Sequence, residues 1–203
     1  MTNVAADGGD NDPARDVVAF AAYFAAVASL NPAQCVGTFG QDYSSLQQHY
    51  RFATQQALAR ANFFESQNLA VLQATRLFLI CLRHPKDPSF VLSMAAVVHR
   101  TAQRLGLHRD GTTFGLGPFQ VEIRRRLWWS IYLLDSRSSE FYAMGPQIAE
   151  ESYDARLPLN IQDSDISPDM TKAPDERTGF MDMTFCLIRC EMTVLYRRFH
   201  LRT

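Results

Sequence analysis

Lysine is nearly missing from this 203-residue chain: two lysines stand against eighteen arginines. Arginine accepts partial burial in planar, hydrogen-bonded pairs more readily than lysine, so internal Arg–carboxylate pairing is expected in place of a solvated cationic face. Neither sign of charge is in excess. The formal net charge of −1 removes any global electrostatic argument for nucleic acid or an anionic membrane as partner. Cysteine is sparse and scattered (Cys35, Cys81, Cys186, Cys190), with no Cys-x-x-Cys, so no disulfide framework is expected. Long apolar runs are lacking too. The run Val17 to Leu30 has fourteen residues, where a membrane span needs roughly 20. Asp7, Asp10 and Asp12 ahead of it carry the wrong sign for a signal peptide. These features predict an intracellular chain with no membrane partner.

Strand-like alternation is poor throughout, and helical signals take its place. Residues 1–11 are small, polar and acidic and read as a disordered tail. Asp12 before Pro13 is a cap followed by a residue preset for the first helical turn. The helix it opens should stop before Pro32. A second helix is predicted from Ser44 or Ser45 to Ala61, and a third from Ser66 to Arg83, where His84-Pro85 ends it. Asp87-Pro88 repeats the cap signal for a fourth, with Val91, Met94, Ala95, Val98, Ala102 and Leu105 on one stripe. Gly106 stands where a left-handed C-terminal cap is wanted.

A fifth helix is predicted from Pro118, with Ile123, Leu127, Ile131 and Leu134 on one face. Periodicity then vanishes from Gln147 to Glu176, a stretch with eight acidic residues against two basic. A last helix from about Met181 sets Phe185, Ile188, Met192, Leu195 and Phe199 at three-to-four spacing, and no glycine, asparagine or proline follows Phe199 to stop it. The fold class expected is all-α: an irregular multi-helix array with a long acidic, proline-containing loop, forming one domain over 12–203.

Arg124, Arg125 and Arg126 are consecutive, and neighbours on a helix point about 100° apart, so the three cannot line one phosphate groove. One is expected to face solvent. The others should reach carboxylates or helix-end carbonyls, with Glu122, Asp110 and Asp135 as nearby partners. Residues 44–141 hold twelve basic and six acidic residues, so the acidic 147–176 stretch is expected to lie over this basic body, Asp163 and Asp165 included.

His108-Arg109-Asp110 holds acid–base residue types, but no motif supplies a nucleophile or a second positioned histidine, so no catalytic residue is expected. Cys186 and Cys190 share a helix face, yet zinc normally takes four such ligands, so no metal or cofactor is expected in this chain. Gly111, Gly115 and Gly117 form a connector; no Gly-Lys-Ser/Thr follows them. Trp128 and Trp129, adjacent on a helix, are core packing by default and a ligand platform by alternative.

Taken in order, Leu105-Gly106-Leu107-His108-Arg109-Asp110, Arg124-Arg125-Arg126-Leu127-Trp128-Trp129, Leu134-Asp135, and Arg156-Leu157-Pro158-Leu159-Asn160 with Asp163 and Asp165 form a pattern. It resembles the middle homology region of fungal binuclear-zinc-cluster transcription factors. The upstream segment Ala57 to Cys81, with Leu72-Gln73-Ala74, fits as well. The resemblance implies an all-helical, non-catalytic regulatory domain that acts in the nucleus, through regulatory protein partners or a small-molecule effector. Leu105, Gly106, His108, Arg109, Asp110, the three arginines, both tryptophans, Asp135, Leu157 and Pro158 would be its signature.

DNA and zinc binding are implied only for a complete family protein, through an N-terminal cysteine cluster that does not precede Asp12. The 12–203 region is accordingly expected to be incomplete at its C-terminal end. The alternative is a stand-alone helical small-molecule-binding protein or enzyme on the same scaffold, which a pocket uniting His108 and the tryptophans would favour. Direct DNA contact through the arginine triplet is a third reading, and exposed apolar edges predict self-association.

Overall fold

The computed structural model describes residues 12–82, 88–141 and 144–200. The predicted tail at 1–11, the His84-Pro85 stop and the Asp87 cap lie outside the described residues. Seven α-helices and three short 3₁₀ turns make up the described chain, with no strand among those residues. The chain divides into two compact units, 1–81 and 82–203.

The first unit holds α1 (Pro13–Ser29), α2 (Pro32–Phe39), α3 (Tyr43–Arg60) and α4 (Leu69–Cys81). Asp12 caps α1 by accepting from the Ala14 backbone N–H at 3.0 Å, as its place before Pro13 predicts. Helix α1 ends before Pro32, but Pro32 opens a helix of its own that the sequence reading did not include. Asn31-Pro32 is a second cap-plus-proline pair: Asn31 accepts from the Gln34 backbone, and the Gln34 side chain accepts from the Asn31 backbone, a closed capping box. Asp42 caps α3, which begins at Tyr43, one residue before the predicted start at Ser44. Val17, Ala21 and Phe24 on α1 are buried, and Phe24 meets Phe78 of α4 edge-on at 5.1 Å between ring centres. Val27, Cys35 and Leu46 form a smaller cluster under α2.

In the second unit, α5 (Pro88–Arg104) leads through a loop to α6 (Pro118–Phe141). An irregular strap, 144–183, then leads to α7 (Thr184–His200). Gly106 takes φ +74° after α5, a left-handed cap that a side chain would strain. Gly111 is needed for room: a Cβ there would stand 3.2 Å from Val121 Cγ2 and 3.3 Å from Val121 Cα. Helix α6 is buried over most of its circumference, with Leu127, Trp128, Trp129, Ile131, Tyr132, Leu133, Leu134, Asp135 and Ser136 all enclosed. A helix so largely buried must satisfy internally the polar groups it buries. That requirement shapes the site below.

Candidate functional site

Three buried carboxylates, on α6 and on the loop before it, bind the strap. Asp110 receives Arg125 bidentately, Nε to Oδ2 at 2.8 Å and Nη2 to Oδ1 at 2.9 Å, and also accepts from the Arg156 backbone N–H at 3.0 Å. Burial alone would raise the Asp110 carboxyl; the bonds from Arg125, Thr112 and the Arg156 backbone outweigh it and hold the group well below the usual carboxylate range. Glu122 takes Arg126 Nε at 2.8 Å and the Leu159 N–H at 3.3 Å. Asp135 accepts from the Gln147 and Ile148 backbone N–H groups at 3.1 and 3.0 Å. In return, Asp110 donates its own N–H to Asp154 of the strap at 2.7 Å, and Trp129 donates Nε1–H to the Arg156 carbonyl at 2.8 Å. The strap has little regular structure of its own, and these side chains do for its backbone what a ladder would otherwise do.

The arginine triplet is consumed internally. Arg124 donates to the Leu105 carbonyl at the end of α5, Arg125 pairs with Asp110, and Arg126 bridges Glu122 and Asp163. None of the three stands clear in solvent, which corrects the expectation that one would. The partner expected for Asp135 also differs. It is Arg197 of α7, whose Nη2 lies 3.0 Å from Asp135 Oδ2 with both side chains 3% exposed. Arg197 Nη1 donates to the Ile148 carbonyl at 2.9 Å, and its guanidinium lies 4.0 Å from the centre of the Tyr132 ring. Glu150 completes the cluster by accepting from Tyr132 and Tyr153. Burial first, and the bond to Glu150 next, raise the Tyr132 hydroxyl well above the ordinary phenol range.

The acidic strap does reach the basic body, through Arg126–Asp163 and Arg109–Asp154. Asp165, expected to share in that, pairs with Arg177 inside the strap instead. Asn160 secures the strap's return, donating to the Arg177 and Gly179 carbonyls and accepting from Thr184 Oγ1 at the start of α7. Pro158 beside it is buried.

Trp128 is fully enclosed, with His99 and His108 at 6.1 and 6.3 Å from it between ring centres. His99, which nothing in the sequence had marked, is buried, and among the described residues neither ring nitrogen has a hydrogen-bond partner. Burial lowers its pKa, and burial followed by Arg109 lowers that of His108.

Trp129 instead forms a wall of a cleft of about 500 Å³, lined also by Tyr153, Arg156 and Leu157 of the strap and by Glu191, Val194, Leu195 and Arg198 of α7. The four α7 residues fall at i, i+3, i+4 and i+7, one helical face. His108 does not line this cleft, so the structure does not bring it together with both tryptophans around one opening. Cys186 and Cys190 are thiols rather than a disulfide, one helical turn apart, and the hydrogen bond between them, followed by burial, raises the Cys190 thiol. Among the described residues no group of three or more His, Cys, Asp or Glu side chains could hold a metal, and no helix is long and apolar enough to cross a membrane.

Comparison with known proteins bears on what this architecture serves. Residues 13–198 match the fungal specific transcription factor domain. The chain is similar to the aurofusarin cluster transcription factor aurR2 of Gibberella zeae, 37% identical over 88% of this chain and 27% of that protein. It is similar to the transcriptional regulator AacuB of Aspergillus aculeatus, 31% identical over 99% of this chain and 28% of that protein. It also resembles the C6 finger domain transcription factor nscR of Aspergillus fumigatus, at 36% identity over 85% of this chain and 22% of that protein. The chain thus spans about a quarter of the length of these relatives. No solved structure matches it.

Proposed function

Because this chain belongs to the fungal specific transcription factor domain family, we propose that it is the non-catalytic regulatory middle domain of a zinc-cluster-type transcription regulator, working in the nucleus. The observation that carries this reading is the match over 13–198, nearly the whole chain. The geometry agrees with it. The signature residues Asp110, Arg124, Arg125, Arg126, Trp129 and Asp135 are spent on holding helix ends, the strap and α7 together, and none is left to contact phosphate. DNA and zinc binding are assigned to a cysteine cluster elsewhere in the complete regulator. Regulation is exercised by protein partners or by a small-molecule effector.

The test is a reporter assay in a fungal host. Residues 12–203 are fused behind a heterologous zinc-cluster head and ahead of a constitutive activation segment. A regulatory domain changes reporter output severalfold relative to the head and activation segment joined directly; an unchanged output overturns the reading. Direct DNA contact is tested separately, since it predicts duplex affinity of the isolated chain that falls steeply with salt.

A second reading, a small-molecule-binding protein, is favoured by one observation, the cleft of about 500 Å³ beside Trp129. Its size suits a drug-sized ligand and its walls are largely apolar. The absence of His108 from its lining leaves it without an acid–base group of the expected kind. Binding there would serve as effector recognition within the regulatory reading.

A further inference from the structure

The cleft beside Trp129 has a shape and a charge that select its occupant. Two aromatic side chains line it, Trp129 and Tyr153, and both have their polar ends committed elsewhere. The indole N–H donates to the Arg156 carbonyl at 2.8 Å, and the phenol donates to Glu150 at 3.0 Å. What the two residues offer the cleft is therefore ring surface. Their rings stand at 87° to each other with centres 5.7 Å apart. A flat ring lying parallel to one of them meets the other edge-on, and aromatic pairs favour both arrangements. A saturated ring in the same corner gains burial alone.

Charge supplies the second constraint. Arg156 joins the lining from the strap and Arg198 joins it from α7. Arg109, Arg125, Arg126, Arg177 and Arg197 are spent on carboxylates of the fold. The side chains of Arg156 and Arg198, by contrast, have no hydrogen-bond or ion-pair partner among the described residues. One carboxylate, Glu191, shares the lining with them, so two cations face one anion. A neutral ligand leaves that excess beside apolar surface, and a dianion overshoots it. A single carboxylate balances it and matches the planar fork of a guanidinium.

We propose that this cleft binds a flat aromatic monocarboxylate, with its ring in the Trp129–Tyr153 corner and its carboxylate between Arg156 and Arg198; this rests on the effector reading of the cleft and gives the effector a chemical class. A volume of about 500 Å³ suits a small ligand of that kind. Binding also has a consequence for the fold. The two arginines come from different segments, so one carboxylate ties the strap to α7. It adds to the hold that Arg197 already exerts through the Ile148 carbonyl and Asp135. A ligand that contacts both segments only when they are docked shifts the chain toward the docked state.

The test titrates the 203-residue chain with naphthoate in a calorimeter. Binding should saturate at one naphthoate per chain. Naphthalenemethanol lacks the charge, decahydronaphthoate lacks the flat ring, and naphthalene dicarboxylate carries one charge too many; each should bind about fivefold more weakly or worse. Arg156→Gln and Arg198→Gln should each weaken naphthoate by a similar factor and narrow its lead over the alcohol. Leu195→Trp fills the cleft and should abolish binding without touching its charge. Arg15→Gln, at an exposed residue of α1, should change nothing. Circular dichroism melting of every variant, unchanged from the parent, shows that the fold is intact. Amide hydrogen exchange should slow within 153–157 and 191–198 when naphthoate is present. No saturable binding up to millimolar naphthoate overturns the proposal. An alcohol or saturated acid bound as tightly, or binding indifferent to both arginine variants, overturns it equally. The reporter fusion contains no naphthoate and fails separately: altered output without naphthoate binding removes the ligand class and keeps the regulatory domain, and binding with unaltered output does the reverse.

Discussion

Asp135→Asn is the substitution that most directly probes how α6, the strap and α7 are held. Asp135 accepts three hydrogen bonds, from Arg197 and from two strap N–H groups, all at 3.0–3.1 Å, and those from Arg197 and Ile148 are buried. Asparagine keeps one oxygen for a donor but turns an NH₂ toward the remaining ones, and it takes from the Arg197 guanidinium the nearer of its two charge partners. Breaking a buried pair from one side costs about 3–5 kcal/mol. Arg197 retains Glu150 at 3.6 Å and the Tyr132 ring, which favours the lower end. At roughly 2–4 °C per kcal/mol for a chain of this size, a loss of about 3 kcal/mol lowers the melting temperature by about 6–12 °C. The assay is chemical and thermal denaturation of the parent, Asp135→Asn, Arg197→Met and the double variant. A direct pair gives a coupling of about 2 kcal/mol, with the double variant less damaged than the sum of the singles. A single-variant cost under about 1 kcal/mol, or strict additivity, would refute the reasoning, because the pair would then be carrying little energy.

Much of the helical frame was legible because it is written locally. Asp12-Pro13, Gly106 and Pro118 each announce an end through their own backbone chemistry, and the structure places helix ends at or beside all three. Asn31-Pro32 carries the same signal as Asp12-Pro13, but the segment it opens, eight residues, is short and its single buried position, Cys35, gives no stripe to read. The pairing of charges was less legible, for a different reason. Arg125–Asp110 and Arg126–Glu122 join residues close in sequence. Asp135–Arg197 spans 62 positions, and no local pattern names its partner. A cue was nevertheless present. An aspartate among Leu133, Leu134 and Ser136 on a helix this apolar demands a cation, and Arg197 falls seven residues after Cys190 on a buried face. The periodicity of α7 was plain in its sequence, but periodicity reports that a face is apolar and not which way it points. Its inward side is the one that holds Arg197, because a buried aspartate left alone costs more than an exposed phenylalanine.

Other expected outcomes bear on the same clasp. Arg125→Lys loses the bidentate grip on Asp110 and should cost about 1–3 kcal/mol in denaturant, against little change if the pair is ornamental. Trp129→Phe removes the bond to the Arg156 carbonyl while keeping the ring in place; a loss of about 1 kcal/mol is expected, and none would show that the strap is held elsewhere. Replacing Asp163 alone by asparagine at low salt should cost no more than about 1 kcal/mol, since Asp163 is largely exposed and Arg126 keeps Glu122. The response to acid separates two groups by sign. Asp110 has a folded pKa below the ordinary aspartate value of 3.8, so its contribution is present above that pH and is lost as pH falls toward the folded value. His99 has a folded pKa below the ordinary histidine value of 6.5, so the unfolded chain takes up its proton first, and stability falls as pH drops from about 6.5 toward the folded value. His108 adds in the same direction. The parent should therefore weaken in two separate steps, one beginning near neutrality and one well below it. His99→Phe keeps a ring against Trp128 and should flatten the first step while leaving the second. If the first step survives that substitution in full, the buried histidine is not its source.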